Sequence, residues 1–238
     1  MKKAAIHVGI TIVVVGLMIA SIIYLMSNSL FTVTWFGTNY LNRVFSYQVT
    51  TLALSLVIIL VIALLTRFQS LRLLSVTRID GEVLPEPWIG ISNKNKDTWK
   101  TLGRNMAIVI SVVTAIAIYF QVYRNGVIQT LTLGSFLLIL VYALTNSFVE
   151  EVTFRHTFAS IVEYHNLNPY LSKALSALIF GGVHYLGTPG KIPGVLLAGF
   201  LGWFLSKSIH ETKGFFWAWL IHFLQDVIIM TALFLTLP

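Results

Sequence analysis

The chain has 238 residues, of which 56% are hydrophobic and only 11% are charged. A soluble domain carries roughly 25% charged residues, so the composition excludes a water-facing surface over most of the chain. The lack of cysteine excludes disulfides, Cys-ligated zinc, iron–sulfur clusters and a thiol nucleophile, and the formal charge of +7 fits basic loops on one side of a membrane rather than a nucleic-acid partner.

The apolar residues come in long runs, and roughly 20 helical residues cross the hydrocarbon of a bilayer. In lipid, backbone groups must be satisfied within the segment, so these runs read as helices. The first expected span, about 4–26, follows Lys2 and Lys3. It exceeds the 7–15 residues of a signal-peptide core and is read as a spanning helix. A second span at 47–66 leads into the polar segment Arg67 to Arg104. That segment holds the turn-like Asp80-Gly81 and the proline-rich Leu84-Pro85-Glu86-Pro87-Trp88. It is the expected boundary between an N-terminal two-helix unit with its cytoplasmic loop, 1–104, and a second unit, 105–238. Further spans are expected at 105–123, 127–149, 169–187, 192–209 and 215–236. The fold class is thus an all-α, polytopic transmembrane bundle of about seven spans. Between the fourth and fifth spans, Glu150 to His165 reads as a cytoplasmic helical extension or an interfacial helix.

Basic residues set the expected orientation. Of the 16 Lys and Arg, only Arg43, Arg124 and Lys191 fall in loops on one side. The others, Lys94 among them, lie on the opposite side, which places the N-terminus in the cytoplasm and the C-terminus outside.

Ionisable groups within spans are costly and mark sites or pathways. Three clusters stand out, on the last four spans. In Glu150-Glu151-Val152-Thr153-Phe154-Arg155, Glu151 and Arg155 share a helix face at i,i+4, leaving Glu150 rotated about a third of a turn away. Alone, this is also what a solvated charge pair at a helix end looks like. In Phe180-Gly181-Gly182-Val183-His184, the glycines permit close packing and turn His184 inward; a packed histidine bonded to a backbone carbonyl has the same signature. In His222-Phe223-Leu224-Gln225-Asp226, the His and Asp share a face, and a structural bond between the two is the plain alternative.

Together, and in this order, the clusters resemble the motifs of the CAAX-protease and bacteriocin-processing family of intramembrane proteases. Those motifs are Glu-Glu-x-x-x-Arg, Phe-x-x-x-His and His-x-x-x-Asn or Asp. The resemblance covers roughly residues 125–235. It implies an endopeptidase acting on a membrane-associated partner, a prenylated protein or a bacteriocin-like peptide, within membrane lipid, and its bacterial members lead us to expect a bacterial cell membrane. It further implies Glu150, Glu151, His184, His222 and Asp226 as catalytic residues, with Arg155 and Phe180 as structural support. Peptide hydrolysis needs an activated water and a stabilised oxyanion. Glu150 is suited to take the water's proton, His184 to hold the water and protonate the amine, and His222 to donate to the oxyanion. Glu151 is then the partner of Arg155, with the roles of the two glutamates open to exchange. An ionised Asp226 cannot donate, so it must orient His222 or carry a proton. No cofactor is required by this mechanism. Zinc held by Glu150, His184 and His222 stays open, although no His-Glu-x-x-His helix is present. Two other readings stand beside the protease: a non-catalytic immunity or partner-binding protein of the same fold, and a small transporter, against which no inverted repeat is visible.

Overall fold

The computed structural model describes residues 2–92, 96–125, 128 and 130–236. Lys94 and the expected start of the fourth span at 127 lie outside the described residues. Among those described, the chain folds into eight α-helices and no strand: α1 (Lys2–Ser27), α2 (Asn39–Leu65), α3 (Trp99–Gln121), α4 (Leu133–Glu151), α5 (Thr157–Tyr164), α6 (Pro169–Val183), α7 (Lys191–Thr212) and α8 (Phe216–Leu235). Polar side chains start several of them. Thr38 accepts from the Leu41 amide at 3.2 Å, Thr132 from Ser135 at 3.1 Å and Asn168 from Tyr170 at 2.9 Å. Each satisfies a donor that the first helical turn leaves free, and Pro169 at the head of α6 needs none.

Six segments are long and apolar enough to cross a membrane: Lys2–Ser27, Asn39–Leu65, Trp99–Gln121, Leu133–Tyr164, Lys191–Thr212 and Phe216–Leu235. The chain is an integral membrane protein. The expected span at 169–187 is present as α6, but its 15 helical residues rise only about 22 Å, short of a hydrocarbon core of about 30 Å. The helix stops where Gly181, Gly182 and Val183 meet His184.

The bundle turns its polar residues inward. On α2, Asn42, Ser46, Gln48, Thr51 and Ser55 are buried while Leu56, Leu60 and Leu64 are exposed. The segment after Glu150 is a second difference from expectation. Residues 151–162 are all buried, and α4 runs through a π-helical turn at Val152–His156 directly into α5. The reason is that Arg155 and His156, the groups that made it look surface-exposed, have partners inside: Arg155 pairs with Glu151, and His156 Nε2 bonds the Ser70 carbonyl at 3.1 Å. His210 is likewise turned inward, in the last turn of α7 against Ser172.

Helix α8 packs between α3 and α4, α2 packs on α4, and α6 and α7 form the closest pair. The polar segment before α3 is clamped onto α7. Glu86 pairs with Lys173 and Lys207 and accepts from Trp203 Nε1 at 2.7 Å, while Glu211 pairs with Lys207 and accepts from Trp99 Nε1 at 2.8 Å. Burial pushes the Glu86 carboxyl up, but the hydrogen bonds from Lys173 and Trp203 and the charges of Lys207 and Lys173 outweigh it and hold the group below its ordinary value.

The α6–α7 contact is backbone against backbone. A Cβ on Gly202 would lie 2.7 Å from the Ser176 carbonyl oxygen and 2.9 Å from the Ala177 Cα. Gly202→Val is therefore expected to lower stability in detergent by roughly 1–3 kcal/mol, read as a lower melting temperature. Gly9→Ala, where nothing lies within 4 Å, is the control and should melt like the parent.

Candidate active site

The site is built on three helices around one buried cation. Arg155 follows Glu151 by four residues, so the π turn still leaves the two on one face, with Arg155 Nη1 3.0 Å from Glu151 Oε1 and both side chains fully buried. The guanidinium carbon lies over Phe180, 3.7 Å from the ring centroid, where it meets the aromatic quadrupole. The same Glu151 oxygen is 2.7 Å from His222 Nδ1 on α8. A carboxylate paired with arginine only accepts, so His222 donates from Nδ1 and its Nε2 is left facing the interior.

His222 Nε2 faces two more acids, Glu150 Oε2 at 3.4 Å and Asp226 Oδ1 at 3.7 Å. Asp226 is too far to orient the imidazole; Glu151 does that instead. The Asp226 carboxyl is held elsewhere, by Asn146, whose Nδ2 donates to Asp226 Oδ2 at 3.1 Å and to Glu150 Oε1 at 3.0 Å. Behind it, Gln48 Nε2 on α2 donates to Asn146 Oδ1 at 3.3 Å. Glu150 Oε2 is buried and makes no hydrogen bond to the described residues. Three carboxyl groups face a single guanidinium, so charge balance in this interior requires protons among them.

Glu150, Glu151, Arg155, Phe180, His222 and Asp226 thus come together. His184 reaches the group only through Phe180, with its ring centroid 4.2 Å from that ring, which in turn is 5.7 Å from His222. His184 Nδ1 donates to the Phe180 carbonyl at 2.8 Å. The backbone bond that the sequence allowed for is therefore present, and it leaves Nε2 without a bond to the backbone. His184 is half-buried, at the end of α6.

Asn146 and Gln48 escaped the motif reading. The signal was available for Asn146, a lone amide in an apolar run four residues before Glu150 and so on its face. Nothing in the spacing points from Gln48 to a helix almost a hundred residues away.

Among the described residues, no group of three His, Asp or Glu side chains is set as a metal site. His222 and His184 each engage Nδ1, with Glu151 and with a backbone carbonyl, and each leaves Nε2 as the nitrogen that a metal or a proton would meet.

Comparison with protein families matches residues 132–228 to the Rce1-like family, described as type II CAAX prenyl endopeptidases. No curated protein and no solved structure matches the chain. The matched stretch begins at the Thr132 cap of α4 and includes every residue of the three sequence motifs.

Removing one partner of a buried pair leaves an uncompensated charge. Arg155→Met is expected to cost about 3–5 kcal/mol, read by denaturant unfolding in detergent. Adding Glu151→Gln to it should recover a large part of that loss, because the stranded carboxylate is gone.

Proposed function

With residues 132–228 belonging to the Rce1-like family of membrane endopeptidases, we propose that this chain hydrolyses a peptide bond in a membrane-associated protein or peptide by direct attack of a water that Glu150 activates. The observation that carries this reading is the division of labour between adjacent glutamates. Glu151 is fully buried and committed on one oxygen to both Arg155 and His222. Glu150 has one oxygen fixed by Asn146 and the other unbonded beside His222 Nε2. Glu151 Oε2 is also without a hydrogen bond, but the Arg155 cation on the same carboxyl lowers its basicity, whereas Glu150 has no cation paired to it by geometry and offers Oε2 as the free lone pair a base needs.

These placements support the following proposed steps. A water at Glu150 Oε2, with His184 Nε2 as its second partner, gives a proton to Glu150 as its oxygen attacks the scissile carbonyl carbon. The carbonyl oxygen gains negative charge and takes a hydrogen bond from protonated His222 Nε2, which Glu151 orients from behind. Collapse breaks the carbon–nitrogen bond. The proton gained by Glu150 passes to the departing amine, directly or through His184, and the acid product is released. Asp226 acts in its protonated form, as a second donor at the oxyanion, which is how a carboxyl group fills a place that asparagine takes in other members of the family. Each donor is preorganised away from bulk water, where such bonds weigh most.

The basic loops favour a cytoplasmic N-terminus, so the substrate would approach from the cytoplasmic leaflet. Prenylated proteins and bacteriocin-like peptides are the two substrate classes we put forward. A quenched fluorescent peptide, with and without a farnesyl group, is the test on purified protein in detergent. Glu150→Gln should lower turnover by about 10²–10⁴-fold without lowering the melting temperature by more than a few degrees. A chelator should leave wild-type cleavage unchanged, since no step uses a metal. Equal cleavage by the variant, or loss with chelator that zinc restores, would overturn the mechanism.

A further inference from the structure

Helices α1, α2 and α3 precede residue 132 and lie outside the stretch that matches the protease family, yet one side chain of α2, Gln48, bonds the asparagine that holds the proposed base. We infer that Asn146, set by Gln48 of α2, is a positioning residue for Glu150, so that α2 completes the active site. The inference rests on the reading of Glu150 as the base.

An Asn side chain offers one acceptor oxygen and two N–H donors. At Asn146 the Nδ2 group serves Glu150 Oε1 at 3.0 Å and Asp226 Oδ2 at 3.1 Å, while Oδ1 receives Gln48 Nε2 at 3.3 Å. Turning the amide over would aim Oδ1 at two acids and set its N–H groups against those of Gln48. The two acids and the Gln48 donor together select this orientation. Its position is itself held by packing: Gln48 is 3% exposed, and seven residues earlier on α2 the Leu41 carbonyl accepts from Tyr142 Oη at 2.9 Å. Leu41 and Gln48 are two helical turns apart on α2, and Tyr142 and Asn146 are one turn apart on α4. The two contacts set the register of α2 on α4. Other polar groups on this face of α2, Ser46, Thr51 and Ser55, bond carbonyls of their own helix; Gln48 instead spends its donor across the interface.

The consequence lies in the rotation of one carboxyl group. With Oε1 tied to Asn146, Glu150 presents Oε2 to His222 and to the attacking water. Without the tie, either oxygen can turn away, and Glu150 and Asp226 lose the donor that spaces them. The matched family segment therefore depends on a helix outside it.

The test is a cycle on kcat. Gln48→Met keeps length and apolar packing but removes the donor; Asn146→Leu removes the amide. We expect Gln48→Met to lower kcat about tenfold and Asn146→Leu about a hundredfold, with KM within about twofold of the parent. The double variant should match Asn146→Leu alone, because Gln48 acts only through Asn146. Gln48→Glu keeps the shape and offers only acceptors, so it should lower kcat at least as much as Gln48→Met. Melting in detergent separates these effects from loss of fold. If either Gln48 variant, folded as the parent, keeps wild-type kcat, or if the two losses multiply, the inference is overturned. Glu150→Gln in the same assay separates the two claims. If it retains activity, the reading of the base fails and this inference falls with it; if it is inactive while the Gln48 variants are not, only the present inference fails.

Discussion

Arg155 is the one cation among three carboxyl groups, and the arrangement of the site depends on its pairing with Glu151. The pair is wholly buried, so neither charge can be given up without stranding the other. Through Glu151 it sets the orientation of His222. Through its place over the ring it sets Phe180, and through Phe180 the end of α6 and His184. The pair also explains why the stretch after Glu150, with its mixed polarity, runs through the interior. A guanidinium in hydrocarbon is tolerated only where protein surrounds it, and here α4, α6 and α8 do.

What the sequence revealed, and what it withheld, divides along local and non-local contacts. The i,i+4 spacings of Glu151 with Arg155 and of His222 with Asp226 put each pair on one face, and helical geometry alone makes that legible. The membrane-spanning character was equally plain, because apolar runs and sparse charge are properties of composition. Spacing could not tell which of two neighbours on one face bonds a third residue from elsewhere. His222 faces Asp226 yet takes its bond from Glu151, seventy-one residues away. Asn146 and Gln48 carry no motif, and their roles appear only once α2 is laid against α4. The shortness of α6 was hidden for a different reason: its apolar composition continues past His184, while the helix does not.

The fold places this chemistry by two devices. Small residues bring α6 and α7 into backbone contact, Gly202 against Ser176 and Gly181 against Val195, which fixes the height of Phe180 and His184. On the side toward the α7–α8 turn, Glu86 and Glu211 tie the polar segment to Lys173, Lys207 and two tryptophans. Strong polar contacts thus stand at two levels, one that closes the bundle and one at the candidate site. Burial of the second strengthens each hydrogen bond in it.

In the proposed mechanism water attacks the peptide bond directly, with no acyl group ever carried by the protein. Turnover in the presence of hydroxylamine, with mass spectrometry of both products and enzyme, tests it most directly. The account predicts the free carboxylic acid as the only acyl product and an unmodified chain at Glu150 and Glu151. A turnover-dependent hydroxamate, or an acyl adduct on either glutamate, would contradict it.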